Sequence, residues 1–150
     1  MRDLKDKVIA ITGGATGIGF ALAKTFGQEG AKIVIGEPRK EKLNEASSIL
    51  KGLSIESFET YLDVTDLRSV EEFADFTIKC FGHVDILINN AGISGARGRI
   101  DRVDIQEARK VFDVNFFGVW HGCAVFSKKM IEQGTSAAIY NLGSENSLFI

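Results

Sequence analysis

Residues 12–19, Thr12-Gly13-Gly14-Ala15-Thr16-Gly17-Ile18-Gly19, follow directly on the apolar run Val8-Ile9-Ala10-Ile11. That order reads as a strand, a glycine turn and the start of a helix. Glycine reaches positive φ without a Cβ clash and lets backbone come close to a ligand, so Gly13, Gly17 and Gly19 at the mouth of a strand point to a bound group. A helix opening near Gly17 presents unpaired N–H groups and about half a positive charge, which suits the diphosphate of a dinucleotide. The spacing G-x-x-x-G-x-G has a longer first gap than the G-x-G-x-x-G fingerprint, so its context matters. Glu37 stands 18 residues after Gly19, just past a second apolar run, Ile33-Val34-Ile35. A dinucleotide fold places an acid there to accept hydrogen bonds from the adenosine ribose hydroxyls.

The elements that must position these groups follow from the hydrophobic pattern. The first helix is expected from Thr16 to Glu29, with Ile18, Leu22 and Phe26 inward, and Gly30 closing it. Pro38 breaks the chain after Glu37 and suits the first turn of a helix over 39–50, with Leu43, Ala46 and Leu50 inward. Residues 55–62 alternate like a strand and end at Asp63. Thr65-Asp66 caps a predicted helix over 67–81, and the triplet Ile86-Leu87-Ile88 fits a central parallel strand covered on both faces.

From Asp104 to Met130 the pattern is helical, with two stripes. Val111, Asn115, Gly118, Gly122 and Val125 form one, small enough to lie close on a sheet. The other holds Phe112, Phe116, Val119 or Trp120, Cys123 and Phe126, and is expected to face outward as a subunit interface of a homo-oligomer. His121 falls between the stripes, at a solvated or rim position. Ala137-Ala138-Ile139-Tyr140 reads as a fifth strand.

Strands alternating with helices imply right-handed crossovers and an α/β, Rossmann-type doubly wound parallel sheet of order 3-2-1-4-5. Its ligand belongs at the carboxyl ends of the strands. Those exits carry Gly13, Glu37, Asp63, Asn90 and Ser144 in turn, five polar or glycine-rich groups converging on one edge.

Composition narrows the partners. The 150 residues suffice for one domain with a real core, and 45% hydrophobic with 25% charged is ordinary globular composition. The net charge of -2, with both signs interspersed, argues against nucleic acid or an anionic membrane surface. The charged start Met1-Arg2-Asp3-Leu4-Lys5-Asp6-Lys7 and the short apolar run after it do not resemble a signal peptide, and a cytoplasmic location is expected. Cys80 and Cys123 are isolated packing residues. Neither they nor His83 and His121 have metal-ligand spacing, so no metal is expected.

Taken together, these motifs resemble the short-chain dehydrogenase/reductase family, from Lys7 to the end of the chain. Thr12-Gly13-x-x-x-Gly17-Ile18-Gly19 is similar to that family's glycine loop, Asp63-Val64 to its adenine-side D-V, and Asn89-Asn90-Ala91-Gly92 to its N-N-A-G. Asn115 within Val114-Asn115-Phe116-Phe117-Gly118 matches its helix asparagine, and Asn141-Leu142-Gly143-Ser144 its N-[IV]-S-S, with Ser144 on the second serine. The resemblance implies hydride transfer between a nicotinamide coenzyme and a small carbonyl or alcohol. It assigns coenzyme contacts to Gly13, Thr16, Gly17, Ile18, Gly19, Glu37, Asp63, Val64, Asn90, Ala91 and Gly92, and catalytic roles to Asn115 and Ser144. The serine positions the substrate oxygen, and the asparagine supports a proton-relaying water. A tyrosine passes the proton, helped by a lysine that lowers its pKa, since a free tyrosine titrates near 10. Asn89 reads as a scaffold amide tying strands together.

Glu37 accepts from both ribose hydroxyls and repels a 2′-phosphate, so NAD is expected over NADP, although Arg39 and Lys40 lie close enough to swing toward a phosphate. Two features depart from the family pattern. Gly143 replaces the first serine, and Glu145-Asn146 stand where small apolar residues are usual. There is also no Y-x-x-x-K: the tyrosines are Tyr61 and Tyr140, with Thr65 and Ser144 four residues on. The pair is expected beyond Ile150, with the remaining strands and helices. Rival readings are a non-catalytic dinucleotide sensor, which a downstream Tyr and Lys four apart would argue against, an inactive fragment, or a scaffold domain that leaves the strand exits unexplained. Residues 1–150 alone are expected to bind coenzyme poorly and to turn nothing over; full activity of that fragment in a coenzyme-absorbance assay would contradict this.

Overall fold

The computed structural model describes residues 4–95 and 97–144. Five parallel strands, β1 (Val8–Thr12), β2 (Lys32–Glu37), β3 (Ser57–Tyr61), β4 (Ile86–Asn89) and β5 (Ala138–Asn141), lie in the order β3-β2-β1-β4-β5. The expected sheet is the observed one. β1 sits at its centre, with Ile9 opposite Ile33 on one side and Ile86 on the other. Because strand side chains alternate, Ile9, Ile11, Ile33, Ile35, Ile86 and Ile88 pack one face against α1 (Gly17–Gln28) and α2 (Lys40–Gly52). Ala10, Val34 and Leu87 pack the other against α3 (Leu67–Phe81) and α5 (Gly118–Gln133). Both faces are covered, which is why the central strands read as unbroken apolar runs.

The local chemistry agrees with most of the expected helices. Asp66 caps α3, its carboxylate accepting from Arg68 N at 3.0 Å, and Gly82 ends it at φ +83°. Leu43, Ala46 and Leu50 of α2 face the core as expected. Pro38, however, lies before the first helical residue, Lys40, rather than inside the first turn. In α1 the buried residues are Gly19 and Ala23, with Leu22 and Phe26 partly buried against the core. Ile18 is 66% exposed, contrary to the inward position expected for it. The helix starts at Gly17, so Ile18 stands in its first turn, beyond the sheet edge.

The stretch 104–130 is helical throughout, as expected, but it is not uniformly α-helical. Asp104 caps α4 (Ile105–Phe112), a π-helical turn follows over Asp113–Phe117, and α5 continues from Gly118. Of the small-residue stripe, Gly118, Gly122 and Val125 lie on the core, whereas Val111 is half-buried and Asn115 is exposed. A Cβ on Gly118 would meet Val64 Cγ2 at 2.6 Å, and one on Gly122 would meet the Asn89 side chain. Phe112, Phe116 and Trp120 are exposed, with Phe116 and Trp120 rings 6.4 Å apart. Phe126, expected to join them, is fully buried and lies 5.8 Å from the Phe73 ring. The π turn interrupts the helical wheel upstream of α5, and within α5 Phe126 is one turn on from Gly122, about 40° away, so it shares the buried face.

At the amino-terminal edge of the sheet, buried Asp85 joins the starts of β1 and β4. Its carboxylate accepts from Val8 N at 2.9 Å, Lys7 Nζ at 3.0 Å and His83 Nε2 at 3.0 Å. Burial pushes this carboxyl up, but the Val8 N–H, Lys7 and His83 outweigh it and hold the group below the ordinary carboxylate value. A carboxyl lowered by folding stabilises the protein fully above its unfolded value, near 3.8, and loses that contribution as the pH falls below it. Asp85→Ala, which strands the Val8 N–H, is expected to cost about 1–3 kcal/mol at pH 7 in urea unfolding. The gap between wild type and Asp85→Asn should stay constant down to about pH 4 and shrink below it.

Candidate functional site

At the opposite, carboxyl-terminal edge a crevice of about 800 Å³ opens, within the usual range for ligand sites. Its walls come from every strand exit but the last: Gly13, Thr16, Gly17 and Ile18 after β1, Glu37 to Arg39 after β2, Leu62 to Thr65 after β3, and Asn90 to Ile93 after β4. Lys110, Asp113 and Val114 close it from α4 and the π turn.

The turn after β1 is held from below by Thr12. Its Oγ1 accepts from the backbone N–H of both Asn90 and Ala91 at 3.0 Å, while Asn90 Nδ2 donates to the carbonyls of Thr12 at 2.9 Å and Gly13 at 3.1 Å. Both donors of the Asn90 amide are committed to the glycine turn, and the residue lines the crevice while holding that turn in place. Gly17 lies at φ +54°, and a Cβ there would meet nothing within 4 Å, so its backbone faces open space. Unlike α3 and α4, α1 has no side-chain cap, which leaves its first-turn N–H groups to an external acceptor. These are the attributes a diphosphate requires, and the residues fit an extended dinucleotide.

Glu37, 3% exposed, sits at the end of β2 with one partner of opposite charge. Arg39 Nε donates to its Oε1 at 2.6 Å, the Arg39 backbone N donates to the same oxygen at 3.3 Å, and Arg39 Nη2 reaches Thr16 Oγ1 at 3.2 Å. The Glu37 carboxylate raises the Arg39 guanidinium above its ordinary value. Asp63 is half-buried; its Oδ1 accepts from Thr65 N at 2.9 Å and Thr65 Oγ1 at 2.7 Å, shaping the loop after β3. Val64 is buried beneath Gly118, and its carbonyl accepts from His121 Nδ1 at 2.9 Å, so Nδ1 carries the ring proton. His121 is therefore a half-buried brace between α5 and this loop rather than a solvated rim group.

Asn115 lies in the π turn and makes a reciprocal pair with one peptide unit of the loop after β4: Ile93 N donates to Oδ1 at 2.8 Å and Nδ2 donates to Ile93 O at 2.9 Å. Gly92 is adjacent; a Cβ there would stand 3.5 Å from Asn115 Oδ1. Asn89 Nδ2 donates to Asn141 Oδ1 at 2.8 Å and ties β4 to β5, the scaffold role expected of it. Ser144 is exposed three residues past β5 on the same edge, but it is not among the residues lining the crevice. Glu145 and Asn146, expected to make the substrate side polar, lie outside the described residues.

Lys110 and Asp113 carry little signal in the sequence: each is a single polar residue in an amphipathic run, and only the assembled edge shows its position. Among the described residues no group of three or more His, Cys, Asp or Glu side chains could hold a metal ion, and no helix is long and apolar enough to cross a membrane.

Comparison with known proteins agrees with this geometry. Residues 7–149 match the family model for short chain dehydrogenases. A C alpha-dehydrogenase from Sphingobium sp. is 35% identical over 144 residues, covering 96% of this chain and 47% of the relative. Zerumbone synthase from Zingiber zerumbet is 37% identical over 146 residues, 97% of this chain and 54% of that protein. The crystal structure of a short chain dehydrogenase/reductase from Burkholderia phymatum in complex with NAD superposes with a TM-score of 0.95 at 33% identity, over 99% of this chain and 53% of that one. The chain thus spans about half the length of the relatives it matches. With its glycine turn, its buried strand-end acid and its matching sheet order, the chain belongs to the short chain dehydrogenase family of oxidoreductases.

Proposed function

We propose that this chain is the coenzyme-binding part of an oxidoreductase that transfers a hydride between a nicotinamide coenzyme, NAD in preference to NADP, and a small carbonyl or alcohol. The observation that carries this reading is the crevice whose glycine turn opens on an uncapped helix start while buried Glu37 closes its other end. When bound, the nicotinamide ring supplies or accepts the hydride; the protein's own groups bind, orient and move protons. The N–H groups of Gly17, Ile18 and Gly19 hold the diphosphate. Glu37 accepts from the adenosine ribose, Asp63 and Val64 flank the adenine, and Ala91 and Gly92 line the path toward the reacting end.

Ser144 then orients the substrate oxygen. Asn115 holds the loop after β4 against the π turn and presents backbone to a relay water, a role supported by its paired bonds to Ile93. The proton itself requires a tyrosine with a neighbouring fixed cation, and neither Tyr61 nor Tyr140 has a lysine four residues on. The exposed aromatic face of Phe112, Phe116 and Trp120 supports assembly as a homo-oligomer, and an intracellular, cytoplasmic setting fits the two unpaired cysteines among the described residues.

In fluorescence titrations of the complete protein, NADH is expected to bind more tightly than NADPH; the reverse order would sink the preference. Ser144→Ala is expected to lower kcat by roughly 10²–10³-fold with NADH affinity nearly unchanged, as befits a group that acts on the substrate oxygen. A parallel loss of NADH binding would assign Ser144 to the coenzyme instead.

A further inference from the structure

The loop after β3 can be accounted for one backbone group at a time. Leu62 N donates to Glu37 O at 3.3 Å, Asp63 N to Ser69 Oγ at 3.0 Å, and Asp66 N to Asp63 O at 3.2 Å. Thr65 N donates to Asp63 Oδ1 at 2.9 Å. Of the N–H groups from Leu62 to Asp66, that of Val64 is the one without a protein partner among the described residues. Val64 lines the crevice, and backbone donors in folded chains are paired with protein or solvent, so this donor is left to whatever fills the crevice.

What fixes Val64 comes from α5. Gly118 lies directly against the Val64 side chain, where a Cβ would stand 2.6 Å from Cγ2. One turn on, half-buried His121 donates from Nδ1 to the Val64 carbonyl at 2.9 Å. That carbonyl belongs to the same planar peptide as the Thr65 N–H, whose acceptor is Asp63 Oδ1. One peptide unit is thus clamped at both ends, by a carboxylate that lines the crevice and by an imidazole that does not. The Asp63 contact is internal to the loop and moves with it, whereas His121 ties the peptide to the helix behind. Hydrogen bonds linked in this way through one peptide reinforce each other.

We propose that His121 is a positioning residue for coenzyme binding: by holding the Val64–Thr65 peptide, it aims the Val64 N–H and the Asp63 carboxylate at the adenosine half of the dinucleotide. His121 touches no ligand. It acts by preorganising the wall, so that the loop loses little freedom when the coenzyme arrives. This rests on the dinucleotide reading given above. A brace that only supported the fold would alter stability and leave affinity alone.

The test compares the complete wild-type protein with His121→Leu, which fills the space without a donor, and with His121→Asn, whose Nδ2 can stand in for Nδ1. The readouts are the dissociation constants of NADH and of ADP-ribose, which keeps the adenosine half and lacks the nicotinamide, and kcat at saturating coenzyme. His121→Leu is expected to weaken both ligands by about tenfold, the worth of one hydrogen bond, with kcat within about twofold of wild type. His121→Asn should recover most of that affinity. Unchanged affinities in His121→Leu, or a loss in His121→Asn as large as in His121→Leu, overturns the assignment. Should His121→Leu not fold, the wild-type protein decides: ADP-ribose is expected to shift the NMR signals of the His121 ring nitrogens, and signals that stay in place overturn it. Wild-type protein that binds neither NADH nor ADP-ribose overturns the coenzyme reading and the assignment together, whereas NADH held equally well by wild type and His121→Leu overturns only the role of His121.

Discussion

The site depends on the joint between β1 and β4 at the carboxyl edge. There the Thr12 hydroxyl takes two backbone N–H groups from the loop after β4, and the Asn90 amide returns two bonds to the turn after β1. This is the point where the sheet changes direction: the connection after β1 runs to β2 on one side, and the one after β4 runs to β5 on the other. Crossovers that depart to opposite faces leave a gap between them, and a doubly wound sheet binds its ligand in that gap. Four bonds across the gap keep its floor fixed while its walls stay open. Buried polar groups in such a joint are satisfied by one another, so the edge can be both polar and rigid.

The two ends of the sheet handle a buried acid differently. At the closed end, Asp85 accepts a strand N–H, a lysine and a histidine, and the carboxylate is used up in pinning β1 to β4. At the open end Glu37 has, among the described residues, a single cationic partner, and that partner itself lines the crevice. A fully engaged acid is structural; one with acceptor capacity left beside a ligand-sized space is suited to binding. The same contrast holds for the helix starts. Asp66 and Asp104 cap α3 and α4, whereas α1, aimed at the crevice, has no side-chain cap.

Much of this was legible in the residues. Gly13, Gly17 and Gly19 marked the turn, Glu37 its far end, and Asp66 the start of α3, because each answers to a local rule of backbone geometry or capping. The misreadings share one cause, the extrapolation of a helical wheel. Ile18 was placed inward on a helix that in fact begins one residue before it. Phe126 was placed outward although, one turn on from Gly122 within α5, it shares that residue's buried face. His121, read as a rim residue, bonds a carbonyl on a loop that no wheel contains.

The amino-acid sequence by itself determined the order of strands and helices, the sheet order they wind into, and the chemical type of the group at each strand exit. Those features depend on period, turn chemistry and the handedness of crossovers, which act over short stretches of chain. The tertiary structure alone decided which of these groups are free to meet a ligand. Thr12 with Asn90, Arg39 with Thr16, and Asn115 with Ile93 are partners separated by 22 to 78 residues. Whether a polar side chain is spent on such a partner or left over depends on reach and helix phase in three dimensions, to a fraction of a turn, and no one-dimensional pattern carries that precision.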